Sequence, residues 1–179
     1  DPRRTTSAEW AHVWVGLDAG TDIPLANAVG REIIAAGLGN HDFVTHATEG
    51  FEAYRAAVEP WTLERASAVT GVPADVIRQM AHAYATAKRA MLCWTLGITE
   101  HHHAVDNVLA LINLALLTGH VGRWGSGINP LRGQNNVQGG GDMGALPDRL
   151  PGFQHVENDE LRTAFDAAWG VTIPPKRGL

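Results

Sequence analysis

The sequence predicts an α/β fold in which a partial parallel sheet is flanked by several helices. Three observations carry this. Most of the first 120 residues place apolar side chains at helical spacing, punctuated by Gly, Pro and Asn. Ala90-Met-Leu-Cys-Trp-Thr-Leu-Gly97 is one short, unbroken apolar run ending in glycine, the pattern of a buried parallel strand. A long apolar helix then runs over Ala104–Thr118 and stops at Gly119, and strand, loop and helix together make half of a βαβ unit.

The elements follow in order. Ser7 is placed to cap a helix reaching about Leu17, with Trp10, Val13, Trp14 and Leu17 on its core face. Gly20-Thr-Asp-Ile-Pro24 is a turn in which Asp22 can cap the next helix. Pro24 suits that helix's first turn, and Leu25, Val29, Ile33 and Ile34 point inward until residues 37–40 end it. Short helices are expected over 42–47 and 50–58. Thr62 caps one over 63–69, with Arg65 where a capping box would have Glu or Gln. Pro73 opens a helix over 74–87 with Val76, Ile77, Met80 and Tyr84 inward. Beyond Gly119 the texture changes. Residues 122–144 form a long Gly- and amide-rich loop, and a helical pattern returns only over Asp159–Trp169.

Composition narrows the class. The 179 residues are 45% hydrophobic and 18% charged, globular values that allow a real core. A net charge of -5 argues against a nucleic-acid partner. The single cysteine, Cys93, excludes an internal disulfide and cannot hold an iron–sulfur cluster alone; its apolar neighbours predict a buried small hydrophobe. The start lacks a signal-peptide pattern, and the best apolar run, 108–117, is about half a membrane span. These features predict a cytoplasmic protein. Asp1 at the start and Pro-Pro-Lys-Arg-Gly-Leu at the end read as cut points in a longer parent.

Two segments carry candidate chemistry. Arg132-Gly-Gln-Asn-Asn-Val-Gln-Gly139 combines a rigid cationic fork, four amides and glycines that let backbone approach a ligand. It reads either as a loop for a polar anionic ligand or as a polar loop satisfying its own backbone. Thr99-Glu-His-His-His103 follows the strand, where open α/β sheets bind ligands. Adjacent histidines diverge by about 100° on a helix, so a polar loop is favoured over a metal site. The Trp10/Trp14 pair reads as core.

Taken in order, Asp1-Pro-Arg3, Gly20-Thr-Asp22, Thr48-Glu-Gly-Phe51, Leu96-Gly-Ile-Thr-Glu-His101, Asn113-Leu-Ala-Leu-Leu-Thr-Gly119, Gly127-Ile-Asn-Pro-Leu-Arg-Gly-Gln-Asn-Asn-Val-Gln-Gly139 and Asp142-Met-Gly-Ala-Leu-Pro-Asp148 resemble the molybdopterin oxidoreductases. Within that family they resemble the large catalytic (alpha) subunits of formate dehydrogenases. The likeness covers nearly the whole chain.

The resemblance implies a three-layer, Rossmann-like lobe: residues 1–132 as most of one dinucleotide-binding-like lobe, residues 133–179 as a Gly-rich cofactor loop and the start of a return to a second lobe. It implies molybdenum (or tungsten) held by two pterin guanine dinucleotides. Asp1, Pro2, Arg3, Gly20, Thr21 and Asp22 would lie near the guanosine ends. Leu96, Gly97, Thr99, Glu100 and His101 would lie along a pterin, Glu100 standing where many relatives have Gln. Gly133, Gln134, Asn135 and Asn136 would frame the pterin and metal pocket. Arg132 would be the catalytic arginine, clamping formate while a hydride moves to the metal–sulfide centre and electrons leave through 4Fe-4S clusters.

The family's metal-ligating Cys or selenocysteine and its cluster cysteines have no match in this chain, so it supplies no metal ligand. An isolated fragment is therefore expected to be inactive. Its implied partners are formate, the parent's remaining lobes and electron-transfer subunits. A cut sheet would also expose an edge that favours self-association. Two alternatives stand beside this: another molybdopterin oxidoreductase such as a nitrate reductase, and a non-enzymatic nucleotide- or partner-binding domain.

Overall fold

The computed structural model describes residues 1–178 and resolves into two compact units, Asp1–Leu131 and a second that opens at Arg132. The first unit holds helices α1 (Thr6–Glu9), α2 (Asp22–Ala35), α3 (His41–Ala47), α4 (Phe51–Val58), α5 (Leu63–Thr70) and α6 (Ala74–Thr86), then strand β1 (Met91–Trp94). Helices α7 (Leu96–Thr99) and α8 (Ala104–Thr118) and strand β2 (Gly127–Pro130) complete it. This is the expected α/β class.

Helix α2 is the hub. Its residues Leu25, Val29 and Ile33 meet Leu63 and Ala66 of α5, Ile77 and Ala81 of α6, and Leu114 and Leu117 of α8 in one buried cluster. Burying side chains of this kind is worth about 1.5–3 kcal/mol each. Gly30 lets α4 approach closely: a methyl group there would strike the Tyr54 hydroxyl. The helix ends follow their sequence signals. Asn40 accepts from Phe43 N–H at 3.0 Å, and Thr62 accepts from Arg65 N–H at 3.2 Å. Gly119 closes α8 in the left-handed conformation at φ 66°.

Strands β1 and β2 pair in parallel, from Met91 opposite Gly127 to Trp94 opposite Pro130, with α8 in the crossover. The pairing extends past the strand, where Leu131 N–H donates to Trp94 O at 2.8 Å. Among the described residues β1 pairs with β2 alone.

The second unit holds α9 (Val137–Asp142), the short antiparallel pair β3 (Arg149–Leu150) and β4 (Gln154–His155), and α10 (Asp159–Trp169). Asn158 caps α10 by accepting from Leu161 N–H at 3.1 Å. Leu150 and Val156 are its buried apolar residues. Gly144 sits at φ 90° against the Leu150 backbone, where a Cβ would come within 2.5 Å of the carbonyl carbon.

Several expectations are corrected. The helix from Ser7 to Leu17 stops at Glu9, and Thr5, not Ser7, stands at its N-cap. The chain then turns back along its own start: Trp14 Nε1 donates to Asp1 O at 3.0 Å, and the Asp1 amino group donates to Val15 O at 3.1 Å. Val15 and Leu17 then reach the core at a spacing of two rather than of a helical turn. Trp10 is left 86% exposed and Trp14 41% exposed, so neither is core. Asp22 is the first helical residue of α2; Thr21 holds the N-cap position.

Strand β1 is shorter than 90–97 and buried only at Trp94, because no further layer among the described residues covers its outer face. Cys93 is consequently exposed. The Gly-rich stretch is not one long loop either, since β2 and α9 lie inside it. Pairing with β1 gives the side-chain-poor β2 its order.

Candidate functional site

Three stretches of the first unit line one cleft of about 680 Å³ at the carboxyl end of β1. Asp1 and Pro2 come from the chain start, Gly20 and Asp22 from the turn into α2, and Gly97, Ile98 and His101 from the loop beyond β1. This is where an open α/β sheet leaves a ligand crevice, because the loops diverge past the last paired residue. The cleft floor is apolar, with Leu25, Val29, Met80, Leu92 and Leu114. Its polar groups sit at the rim.

Local bonds fix that rim. Asp1 Oδ1 accepts from Arg3 N–H at 2.8 Å. Thr21 Oγ1 donates to Asp18 O at 2.6 Å, and Asp18 N–H donates to Thr70 O at 2.8 Å, which ties the turn to α5. His101 Nδ1 accepts from His103 N–H at 3.2 Å, so the neutral ring carries its proton on Nε2. That Nε2 edge faces Gly20, where a Cβ would stand 3.4 Å away. His101 therefore presents a donor and Asp22 an acceptor to the same cleft.

Of the sequence-predicted residues, Asp1, Pro2, Gly20, Asp22, Gly97 and His101 share this cleft. Arg3, Thr21, Leu96, Thr99 and Glu100 lie beside it without lining it. Thr99 Oγ1 donates to Leu96 O at 3.4 Å and Glu100 N–H to the same carbonyl at 2.7 Å, so they close the α7 turn. The three histidines do not converge: His101 stacks on His102 with ring centroids 4.7 Å apart, and His102 and His103 are tilted by 47°. Among the described residues no group of His, Cys, Asp or Glu is arranged to hold a metal ion.

Two contributors escaped the sequence reading. Asn107, 3% exposed, donates from Nδ2 to Ile98 O at 3.1 Å and so pins the loop beyond β1 to α8. An Asn in a long apolar helix is the signal that marks it. Tyr84 lines the cleft, and burial raises its phenol above the ordinary value while the Thr118 hydroxyl pulls it down in part.

In the second unit, Arg132, Gly133, Gln134, Asn135 and Asn136 form one exposed run. Arg132 at φ 62° and Asn136 at φ 52° bracket it in left-handed backbone. Asn tolerates that conformation, whereas Arg does so at a cost of about 1–2 kcal/mol. Asn136 folds its amide over Gly139, where a Cβ would meet Oδ1 at 2.5 Å.

A crevice at a strand's carboxyl end, rimmed by glycines and by a carboxylate at a helix start, is the arrangement that open α/β folds use for ligands. The chain matches the Molybdopterin oxidoreductase family over residues 1–172 and belongs to that family. It is 47% identical over 98% of its length to formate dehydrogenase H of Escherichia coli. It is 42% identical over 100% of its length to the F420-dependent formate dehydrogenase subunit alpha of Methanocaldococcus jannaschii. The chain spans about a quarter of those relatives, 24% and 26% respectively. Among solved structures, acetylene hydratase from Pelobacter acetylenicus aligns with a TM-score of 0.67 and 30% identity, covering 70% of this chain and 17% of that one.

Proposed function

We propose that this chain is the dinucleotide-holding portion of a longer formate dehydrogenase, with residues 1–132 forming most of one lobe and residues 133–179 leading back toward a second. The supporting observation is the convergence of Asp1-Pro2, Gly20/Asp22 and Gly97/His101 on one cleft from three separate stretches. The donor set fits a pterin guanine dinucleotide, with Asp22 on the guanosine side and His101 on the pterin side. The Asp22 carboxylate accepts from the N–H edge of a guanine, the His101 Nε2–H donates to an anionic or carbonyl oxygen, and Gly20 leaves the backbone open between them. Arg3, Thr21, Leu96, Thr99 and Glu100 shape the walls behind these contacts.

When bound, the bis(pterin guanine dinucleotide) with molybdenum or tungsten supplies two-electron redox chemistry, and 4Fe-4S clusters elsewhere in the enzyme carry the electrons away. The metal-ligating residue and the cluster ligands come from the remaining length of the enzyme, so the 179 residues alone neither oxidise formate nor retain metal. Arg132 holds the formate carboxylate through paired charge-assisted hydrogen bonds and orients its C–H bond. Gly133, Gln134, Asn135 and Asn136 follow it as the amide frame of the pterin. The second edge of β1 receives further layers of the parent protein or its electron-transfer subunits.

The test is formate kinetics of the full-length enzyme carrying Arg132→Lys. Lysine keeps the charge and loses the fork. A fall in kcat/KM of about a hundredfold, with cofactor content retained, is expected. Unchanged kinetics would remove Arg132 from the substrate site. Formate is favoured over nitrate as substrate by the two formate dehydrogenase relatives cited above.

A further inference from the structure

The amino ends of β1 and β2 lie at the opposite end of the sheet from the cleft. Lys88 and Arg89 lead into β1, and Arg123 and Trp124 lead into β2. The two loops are in contact: Arg89 Cδ stands 2.8 Å from where a Cβ on Gly125 would be, and Ala90 N–H donates to Ser126 Oγ at 3.2 Å. All four side chains are exposed, Trp124 at 85%.

Charge sets this patch apart. The chain carries a net charge of -5, yet residues 76–99 and 107–141 contain no Asp or Glu. The carboxylate packed against α6, Glu32, is already held by Arg78 and His82. Lys88 and Arg89 make no ion pair among the described residues. Arg123 is held from behind, its Nη2 donating to Nδ1 of His120 at 2.6 Å. His120 is 1% exposed, and its Nε2 donates to Tyr84 O at 2.9 Å. A buried neutral imidazole thus fixes one guanidinium beside an exposed indole.

From this we infer that the Lys88/Arg89/Arg123/Trp124 patch docks an acidic face of a protein partner. Trp and Arg are the residue types that anchor interfaces, and a cationic surface selects acidic faces by steering and by excluding basic ones. A nucleic acid would run beyond the patch onto a chain with excess negative charge, whereas a compact acidic face meets the patch alone. The site is remote in the sheet from the cleft, so its failure leaves the functional reading above intact.

The experiment measures fluorescence anisotropy of a dye-labelled peptide of Glu residues around a central Tyr, titrated with the full-length enzyme at low and moderate salt. Arg89→Glu and Trp124→Ala are each expected to weaken binding roughly tenfold, with circular dichroism and melting unchanged. Arg4→Glu, a cation outside the patch, is expected to leave binding as it is. Absence of binding, equal weakening by Arg4→Glu, or tighter binding of a single-stranded oligonucleotide through the same residues would overturn the proposal.

Discussion

Replacing Gly30 by Ala puts a methyl group where the Tyr54 hydroxyl already stands, with Tyr54 Cζ at 3.1 Å and Leu114 Cδ2 at 3.4 Å as the next neighbours. Alanine gains about 1 kcal/mol of helix propensity over glycine. Overpacking against a fixed ring costs about 1–3 kcal/mol, and a clash with a buried oxygen falls at the upper end. The net expectation is a loss of about 2 kcal/mol. The Tyr54 hydroxyl is buried and has no hydrogen-bond partner among the described residues. Tyr54→Phe should therefore be neutral or stabilising, because it removes an unsatisfied polar group. In the Tyr54→Phe background the added methyl meets only the ring carbon and Leu114, and its helix propensity is realised. The double variant should recover nearly the whole loss, a coupling of about 2 kcal/mol. Urea unfolding followed by circular dichroism, with midpoints and slopes compared across the four proteins, reads this directly. Additive effects would refute the reasoning that Gly30 is required by the Tyr54 oxygen.

The same phenol makes an alkaline prediction. Burial raises Tyr54 well above its ordinary value of 10.0, so the unfolded chain releases that proton first and stability falls as pH rises past 10. Urea midpoints measured between pH 9 and 11, a window about that ordinary value, should show a shallower decline for Tyr54→Phe than for the parent chain. Asn107→Asp removes the donor to Ile98 O and buries a carboxylate against it, so it should destabilise more than Asn107→Ala, itself costing about 1–3 kcal/mol; equal effects in urea titrations would mean the amide is not donating. Gly144→Ala should disorder the β3–β4 turn, because its Cβ meets the Leu150 backbone, which no rotamer can relieve; unchanged amide exchange at 149–155 would contradict this. The open edge of β1 and its exposed Met91 and Cys93 predict self-association, read as a concentration-dependent sedimentation coefficient.

What the sequence made legible were the elements with complete local signals. Helix α8 begins and ends at the predicted Ala104 and Thr118 because its apolar run is long and Gly119 can adopt the left-handed stop. Thr62 caps its helix through its own side chain, as its residue type predicts. The misses lie where distant partners decide. Trp10, Trp14 and Leu17 have helical spacing, but the Asp1–Val15 pairing outweighs it. Gly127-Ile-Asn-Pro130 has little strand propensity and is ordered by β1, a contact across 36 positions that no local pattern shows. Six cleft residues, Asp1, Pro2, Gly20, Asp22, Gly97 and His101, were legible through the family resemblance. Asn107 was not, because its task depends on where Ile98 O comes to rest.

Cofactor content of the full-length enzyme tests the central claim most directly. Acid-released guanine nucleotide and molybdenum or tungsten are measured together in the parent, in Asp22→Asn and in His101→Ala. The account predicts that nucleotide and metal are present in the parent and fall together in both variants, while far-ultraviolet circular dichroism shows the fold retained. A parent without guanine nucleotide, or variants that retain both in full, would contradict it.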